Sequence, residues 1–394
     1  MRIYLDYNAT TPPSPAVIAA LQETLPLVFG NPSSVHYFGQ QAKAVLDAAR
    51  LSTATLIGGD PSEVIFTSGG TEADNFALRG AADAAEPTGR RHIIASAIEH
   101  EAVLQTLKAL ARRGWTVTLL PVDATGIVSA ASLEAAMTPD TSIVSVMHAN
   151  NEIGTIQPVA ALAAIAHAGG AVFHTDAVQS VAKIPVDVRS LGVDLLSLSA
   201  HKFGGPKGIG ALWVKRGTRL AAVMTGGRQE RNRRAGTENV PGIAGLGAAA
   251  RLGVDKLSAE SDRLARLRDR LESGILARVP DTAVNGDPSQ RVPNTTNVSF
   301  DGIEAESLLI ALDLEGIAVS TGSACSSGTL EPSHVLKAMG LSAHRTQNSL
   351  RFSLGERNTD AEIDRVLDVL PGLVSRLRGI TAGKATGAVA SASS

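Results

Sequence analysis

Short runs rich in β-branched residues alternate with longer helical stretches along much of this chain. The runs with the composition of buried strands lie at 64–67, 92–95, 116–120, 143–147, 171–174, 195–198 and 210–214. Helical patterns fall between them, for example at 103–113 and 159–168. Nearly continuous apolar strands separated by helices are typical of a mostly parallel sheet covered on both faces. The sequence therefore predicts an α/β fold.

The pattern changes after a charged amphipathic stretch at 261–279. The elements predicted beyond it are strand 297–300, helix 304–314, strand 317–320, strand 350–354 and helix 359–377. A chain of 394 residues is longer than a single core usually supports. We therefore expect a large domain over 16–260 and a small α+β domain formed by 1–15 and 261–380. The segment 381–394 is dominated by small residues and is predicted to be disordered.

Composition and charge narrow the class of protein. The chain is 44% hydrophobic with 3% aromatic residues, which is typical of a globular protein. A net charge of −2 gives no general attraction to nucleic acid or to anionic membranes. The N-terminus becomes acidic at Asp6 without an apolar signal region, and no apolar run is long enough to span a bilayer. We expect a soluble, cytoplasmic protein without a nucleic-acid or membrane partner.

A glycine turn follows the first predicted strand of the large sheet. Gly69, Gly70 and Thr71 stand where a helix begins, so free N–H groups and the positive helix end could hold a phosphate. A Gly-Thr pair at a helix N-terminus is often only a cap, so this signal alone is weak. It is not a nucleotide P-loop, since no Gly-Lys-Ser/Thr follows at the required spacing.

Three ionisable residues follow other strands, at the edge where open α/β sheets bind ligands. Asp176 could bind a metal, act as a base or pair with a cationic ring nitrogen. Lys202 lies between a strand end and a Gly-rich turn, where poor solvation would depress its pKa and make it nucleophilic. A lysine in a turn is nevertheless usually a surface residue. His100 lies near the same rim, where a lone histidine is more often structural than catalytic.

Cys325 is the only cysteine of the chain. A lone thiol can form neither an intramolecular disulfide nor a multi-cysteine metal site. Its neighbours over 320–328 are all small or hydroxylated, which indicates an exposed loop. Buried cysteine is the more common case in general, but this polar setting favours a reactive thiol.

Asp176, Lys202 and the phosphate cradle together are the groups that pyridoxal phosphate requires. The lysine would form a Schiff base, the acid would keep the ring nitrogen protonated, and the cradle would hold the phosphate.

Motifs along nearly the whole chain resemble those of the NifS/IscS cysteine desulfurases, in the class V aminotransferase group of fold-type I enzymes that use pyridoxal phosphate. They are LDYNATT at 5–11, GNPSS at 30–34, TSGGTE at 67–72, NNEIG at 150–154, SAHK at 199–202, RAGTEN at 234–239, GSAC at 322–325 and RFSLG at 351–355. The resemblance is greatest to the nitrogen-fixation branch, notably at 226–231, 233–239 and 286–288. The implied fold is the fold-type I transferase fold, with a large, mostly parallel sheet domain and a smaller α+β domain.

The resemblance implies roles around the cofactor ring. Lys202 would carry the cofactor and later move the substrate Cα proton. Asp176 would pair with the ring nitrogen, and His100 would stack on the ring and assist proton transfer. Gln179 and Asn151 would contact the phenolic oxygen of the ring, with Asn151 also at the substrate.

It also implies roles for the phosphate, the substrate and a second subunit. The phosphate would be held by Gly70, Thr71, Ser199 and His201. Arg351 would pair bidentately with the carboxylate of the substrate, L-cysteine. Thr237 would reach the phosphate from the partner subunit of a homodimer; the alternative is that it caps a helix within its own subunit.

The resemblance gives Cys325 the role of nucleophile. Its thiolate would take the sulfur of L-cysteine as a persulfide, and alanine would be released. The loop at 321–330 resembles the longer loop of the NifS/IscS group, which would carry the sulfur to an iron-sulfur scaffold protein, in the nitrogen-fixation branch for nitrogenase cofactor assembly. As a persulfide, Cys325 would also be a transient ligand of iron. The tail after Ile380 contains no recognisable docking segment.

Two other functions remain open at this point. Another class V aminotransferase or lyase would use the same cofactor residues, and Cys325 would then be incidental. A non-enzymatic iron-sulfur carrier is disfavoured, because carriers hold clusters with several cysteines.

Overall fold

The computed structural model describes residues 2–322 and 332–391, and for 381–391 it describes only the course of the backbone. The strands are β1 (Ile3–Tyr4), β2 (Val64–Thr67), β3 (His92–Ser96), β4 (Thr116–Leu120), β5 (Thr141–Ser145), β6 (Val172–Asp176), β7 (Leu195–Ser199), β8 (Gly210–Val214), β9 (Thr282–Asn285), β10 (Thr295–Phe300), β11 (Ile317–Ala318) and β12 (Ser349–Ser353). The helices are α1 (Pro15–Leu27), α2 (Tyr37–Leu56), α3 (Gly70–Ala85), α4 (Glu101–Ala111), α5 (Ala130–Ala136), α6 (Val159–Ala168), α7 (Val188–Leu191), α8 (Gln229–Asn232), α9 (Val240–Arg278), α10 (Ala305–Leu314), α11 (His334–Ala338), α12 (Ala343–Gln347) and α13 (Asp360–Ser391).

Within the described ranges, the largest sheet has seven strands in the order β2-β8-β7-β6-β5-β3-β4. Strand β8 runs antiparallel to both of its neighbours, and the remaining pairs are parallel. Since β2 and β7 are both antiparallel to β8, β2 points the same way as the other strands. The carboxyl ends of all strands except β8 therefore meet at one edge. The prediction of a mostly parallel sheet is confirmed.

Helices cover both faces of this sheet. One face carries Phe66 and Phe173 and packs against apolar residues of α2, α6 and α9. The opposite face carries Ile65 and Ile143 and packs against α3 and α4. Neighbouring residues of a strand point to opposite faces, so an uninterrupted apolar strand such as β2 contributes buried side chains to both faces of the sheet.

A second hydrophobic core lies beyond the large sheet. Strands β12, β10 and β9 form an antiparallel sheet, and β1 pairs in parallel with β11. Ile3 and Leu5 are buried in this core with apolar residues from 264 to 374, so the first strand of the chain packs with its last third.

Helix α9 is 39 residues long and joins the two cores. Its first half packs into the core of the large sheet through Ile243 and Leu246, and its second half packs into the second core through Leu267 and Leu271. The amphipathic segment predicted at 261–279 is therefore only the second half of this helix. Its first half is rich in small residues because it lies against α2: a Cβ atom on Gly247 would come within 2.7 Å of Ala49 Cα. The domain boundary at 260 stays a prediction, since α9 is continuous across it.

Helix α13 continues to Ser391, into the segment 381–394 for which the sequence analysis expects disorder. The disorder of this segment stays a prediction. The segment is rich in alanine, which has the highest intrinsic helix propensity and can extend an existing helix. Residues 392–394 lie outside the described part of the chain. None of the helices in the described part has the combination of length and apolar composition that crossing a membrane requires.

Candidate active site

A cavity of about 480 Å³ opens at the carboxyl edge of the large sheet. The predicted site residues that line it are Gly70, Thr71, His100, Asn151, Asp176, Gln179, Ser199, His201, Lys202 and Arg351. They come from segments that are far apart in the sequence, and the convergence of the strand ends brings them together. Cys325 lies outside the described residues, but Ser320 and Gly322, just before it in the sequence, also line this cavity.

The turn between β2 and α3 has the features of an anion site. Helix α3 begins at Gly70, and its N-cap residue Gly69 has no side chain that could accept from the first helical N–H groups. These groups and the positive helix end thus remain available to a ligand. A Cβ atom on Gly70 would lie 2.9 Å from Val178 Cγ2, so the packing requires glycine there. Thr71, Ser199 and His201 line the same cavity.

Asp176 is the last residue of β6 and is buried. Its Oδ1 accepts a hydrogen bond from the backbone N–H of Val178 at 2.9 Å. Burial raises the pKa of this carboxyl, and nearby His100 and Lys202 oppose part of that rise. A cationic ring nitrogen in the cavity would stabilise the ionised form of Asp176 further.

Lys202 ends a short 3₁₀ turn that follows β7 directly. Its Nζ donates to the backbone carbonyl oxygens of Asn8 at 2.7 Å and Ala9 at 2.9 Å. The pKa of Lys202 falls to about 8, chiefly because of burial and also because of the Arg351 cation. A substantial fraction of Lys202 is therefore a neutral amine near pH 8. Asp74, on α3, lines this cavity too.

His100 has a structural role as well as a place in the cavity wall. Its Nδ1 accepts from the backbone N–H of Ala102 at 3.1 Å, which caps α4. Burial lowers the pKa of the His100 imidazole. His100 thus has the structural role that is usual for a lone histidine, and its neutral ring remains available to a ligand.

Arg351 lies on β12 and is 4% exposed. Its Nη2 donates to Asp6 Oδ1 at 2.5 Å, and its Nη1 donates to the backbone carbonyl oxygen of Asn151 at 2.9 Å. Within the described residues its Nε is buried and has no hydrogen-bond partner. A buried donor without a partner is costly, so this guanidinium is suited to an anionic ligand.

Thr237 is separate from these residues. It is exposed and lines a different cavity of about 220 Å³, together with Ser68, Glu230 and Arg234. Arg234 forms a bidentate ion pair with Glu72 of α3, at 2.8 and 3.1 Å. Within one chain, the structure therefore does not bring Thr237 to the cavity that contains Lys202.

Sequence reasoning missed the site residues that act through distant partners. Asp6 and Asn8 lie in the motif at 5–11, but no role was predicted for either. Asn8 is the centre of a buried hydrogen-bond network that includes Lys183, and Asp6 holds Arg351. Only their place in the 5–11 motif could have indicated them.

Comparison with known proteins identifies the family. The model of the class V aminotransferases matches residues 3–366. The chain belongs to this family.

Full-length relatives and a solved structure agree with the family match. The chain is 50% identical to a cysteine desulfurase of Trichormus azollae, covering 96% of this chain and 94% of that protein. It is 48% identical to the cysteine desulfurase IscS of Methanosarcina thermophila, covering 96% and 93%. A solved NifS-like protein superposes with a TM-score of 0.90 at 38% identity, covering 96% of this chain and all of the other. The resemblance to NifS/IscS proteins and the fold-type I architecture are thereby confirmed.

Proposed function

We propose that this protein is a pyridoxal-phosphate-dependent cysteine desulfurase, which converts L-cysteine to L-alanine and takes the sulfur on Cys325. The observation that carries the proposal is the single cavity that combines Lys202, with its depressed pKa, Asp176, the α3 anion site and Arg351. The relatives named cysteine desulfurases support the choice among class V activities.

The residues of the cavity fit pyridoxal phosphate. Its phosphate would be held by the uncapped N–H groups of α3, with the hydroxyls of Thr71 and Ser199 and the imidazole of His201 beside them. Asp176 would pair with the ring nitrogen, and Gln179 and Asn151 would contact the phenolic oxygen. His100 would lie against the ring. When bound, this cofactor supplies a carbonyl that condenses with amines and a ring that withdraws electrons.

Lys202 would hold the cofactor and then move a proton. With its pKa near 8, Lys202 can exist as the amine that attacks a carbonyl and as the ammonium that returns a proton. Asp176 and Asp6 favour the ammonium, whereas burial and Arg351 favour the amine. These opposing influences keep Lys202 competent for both directions of proton transfer near neutral pH.

Arg351 would orient the substrate. A guanidinium held in place by Asp6 and by the carbonyl of Asn151 presents its remaining donors to the L-cysteine carboxylate. Fixing the carboxylate end determines where the thiol end of the substrate lies, as the transfer of sulfur requires.

Cys325 would accept the sulfur. Its thiolate attacks the substrate sulfur, an S–S bond forms, and the C–S bond of the substrate breaks. The electron pair of the broken bond stays with carbon and is protonated, so L-cysteine and the enzyme thiol become L-alanine and an enzyme persulfide. The reaction balances without an added oxidant. A second thiol can then remove the outer sulfur by exchange.

We infer that the enzyme is a homodimer. Leu25, Leu27, Phe29, Val35 and Tyr37 are each at least 68% exposed, between α1 and the start of α2. Such a concentration of exposed apolar side chains is typical of an interaction surface. A second copy covering it supports the expectation that Thr237, remote from Lys202 in its own chain, serves the partner's site.

The destination of the sulfur is a proposal that rests on sequence resemblance. We propose that the persulfide of Cys325 supplies an iron-sulfur scaffold protein in the cytoplasm, with Cys325 a transient ligand of iron there. The nitrogenase cofactor is the proposed product, because the motifs at 226–231 and 233–239 resemble the nitrogen-fixation branch. Sulfur transfer to a purified scaffold, followed by the appearance of cluster absorbance, tests this step.

The experiment that tests the activity uses purified protein reconstituted with pyridoxal phosphate. We expect L-alanine and sulfide in equal amounts from L-cysteine and a reducing thiol, and no product from Lys202→Ala. Lys207→Ala, a nearby exposed lysine, is the matched control and should retain activity. Transamination or β-elimination products in place of alanine would favour the alternative of another class V aminotransferase or lyase.

A further inference from the structure

Lys183 is a buried lysine that the proposed reaction does not use. Its side chain is almost inaccessible, and its Nζ donates to Gln179 Oε1 at 2.6 Å and to Asn8 Oδ1 at 2.9 Å. Both acceptors are neutral amide oxygens. A lysine this buried is rare unless it is paired with a carboxylate, so Lys183, four residues beyond Gln179, is a candidate for a functional role.

The chemistry of lysine determines which way the Gln179 amide points. A lysine ammonium has only donors, whereas a glutamine amide has one acceptor oxygen and one donor nitrogen. In the structure Lys183 Nζ donates to Gln179 Oε1 at 2.6 Å, so the amide turns this oxygen toward Lys183. Its Nε2 then lies on the other side, where it donates to the backbone carbonyl oxygen of Asn8 at 3.0 Å. Gln179 lines the cavity, and the second N–H of its Nε2 is the donor that the amide can offer to a ligand there.

The orientation of Asn8 is fixed in the same way. Asn8 Oδ1 accepts from Lys183 and from Asn294 Nδ2 at 3.1 Å, and Asn8 Nδ2 donates to Thr295 Oγ1 at 2.8 Å. The backbone carbonyl of Asn8 also accepts from Lys202 Nζ at 2.7 Å. A connected set of hydrogen bonds therefore runs from Lys183 through Asn8 to the lysine that would carry the cofactor.

Charge connects the two lysines as well. Burial holds the pKa of Lys183 well below its usual value, and the Lys202 and Arg351 cations add to this effect. A positive charge on Lys183 would in turn disfavour further protons in the same region of the cavity.

We propose that Lys183 is a positioning residue that fixes the Gln179 amide with its donor toward the phenolic oxygen of the cofactor and that holds Asn8 against Lys202. The proposal rests on the proposed use of pyridoxal phosphate. A hydrogen-bond donor at the phenolic oxygen stabilises its anionic form. Lys183 would therefore lower the pH at which the bound cofactor changes its protonation state.

The test is a pH titration of the visible absorbance of the protein reconstituted with pyridoxal phosphate. Lys183→Met keeps the length of the side chain and removes its donors, so Gln179 is free to turn. We expect the midpoint of the titration to rise by about 0.5 to 1 pH unit. Lys256→Met, a change at an exposed lysine, is the control and should leave the midpoint in place.

Repeating the substitution in Gln179→Met protein separates an effect on the orientation of Gln179 from a general structural effect. In Gln179→Met protein there is no amide to orient, so adding Lys183→Met should shift the midpoint by less than half as much. An unchanged midpoint in Lys183→Met, or an equal shift in the Gln179→Met background, would overturn the proposal. If Lys183→Met does not fold, Lys183→Gln is the second variant: its amide can accept as well as donate, so it no longer fixes the orientation of Gln179, and a smaller rise of the midpoint is expected. Absence of visible absorbance in the unaltered protein would instead contradict the proposed function.

Discussion

Arg351 and Asp6 are 345 residues apart in the sequence and form an ion pair between a buried arginine and a half-buried aspartate, with 2.5 Å between Arg351 Nη2 and Asp6 Oδ1. The pair joins the segment after β1 to strand β12. Burial, together with the nearby Asp6 carboxylate, raises the pKa of the Tyr4 phenol to about 12. The Arg351 guanidinium, the candidate binding group for the substrate carboxylate, is therefore oriented by the fold before any ligand binds.

The first prediction concerns Arg351→Lys. A lysine keeps the charge but cannot pair bidentately with a carboxylate or reach both Asp6 and the Asn151 carbonyl. We expect the KM for L-cysteine to rise about 10- to 100-fold, while the visible absorbance of the bound cofactor stays the same. Arg365→Lys, at an exposed ion pair with Glu315, is the control. A KM within about twofold of the unaltered enzyme would show that Arg351 does not bind the carboxylate.

The second prediction concerns Cys325→Ser. It rests on the sequence, since Cys325 lies outside the described residues. The cavity residues are untouched, so cofactor binding and the spectral response to L-cysteine should persist. Alanine and sulfide production should fall by at least about 100-fold, since a hydroxyl is a poor nucleophile toward sulfur. The chain has no second cysteine that could take over. Alanine formation near the normal rate would favour the lyase alternative.

The third prediction concerns the second subunit. Thr237→Asp would place a carboxylate against the phosphate of the partner's site, and Lys202→Ala removes the cofactor lysine. Each variant should be nearly inactive alone. Equal co-folding should restore about a quarter of the activity, because half of the dimers would contain one intact site.

The control for that experiment mixes Lys202→Ala with Arg351→Lys. Both residues line the same cavity of one chain, so no mixed dimer would contain an intact site. Activity in this control above that of the Arg351→Lys protein alone, or no recovery in verified Thr237→Asp mixed dimers, would contradict a shared site.

The fourth prediction concerns Glu99, which is fully buried behind the cavity. Its Oε1 accepts from Ser96 Oγ at 2.5 Å and from the backbone N–H of Met147 at 2.8 Å, while its Oε2 has no partner among the described residues. Burial raises the pKa of Glu99 to about 8. A raised carboxyl pKa means that the folded protein binds the proton more tightly, so Glu99 makes stability fall as pH rises from about 4.5 to about 8.

Glu99→Gln mimics the protonated carboxyl and removes this dependence. The free energy of unfolding of the variant, relative to the unaltered protein, should increase by at least about 1 kcal/mol between pH 5 and pH 8. Urea denaturation at both pH values measures it, with Glu101→Gln, at an exposed neighbour, as the control. A difference that does not change with pH would mean that Glu99 is already ionised in the folded state.

The strand ends could be predicted from the sequence because their signals are local. Apolar runs followed by Gly70, Asp176 or Lys202 indicate both a strand and a site at its carboxyl end, and the cavity contains all three. Asn8 and Lys183 could not be predicted, because their role depends on contacts between segments 175 residues apart. The start of α9 was missed because its small residues are explained only by the α2 surface against which they pack.

In the proposed function Lys202 carries the cofactor, and the buried Lys183 is a competing candidate. Both have depressed pKa values and lie within the same hydrogen-bond network. Borohydride reduction of the reconstituted protein, followed by peptide mass spectrometry, locates the attachment directly. We expect a pyridoxyl phosphate group on the peptide that contains Lys202. Attachment to Lys183 or Lys207, or no attachment in protein that shows the visible absorbance, would contradict it.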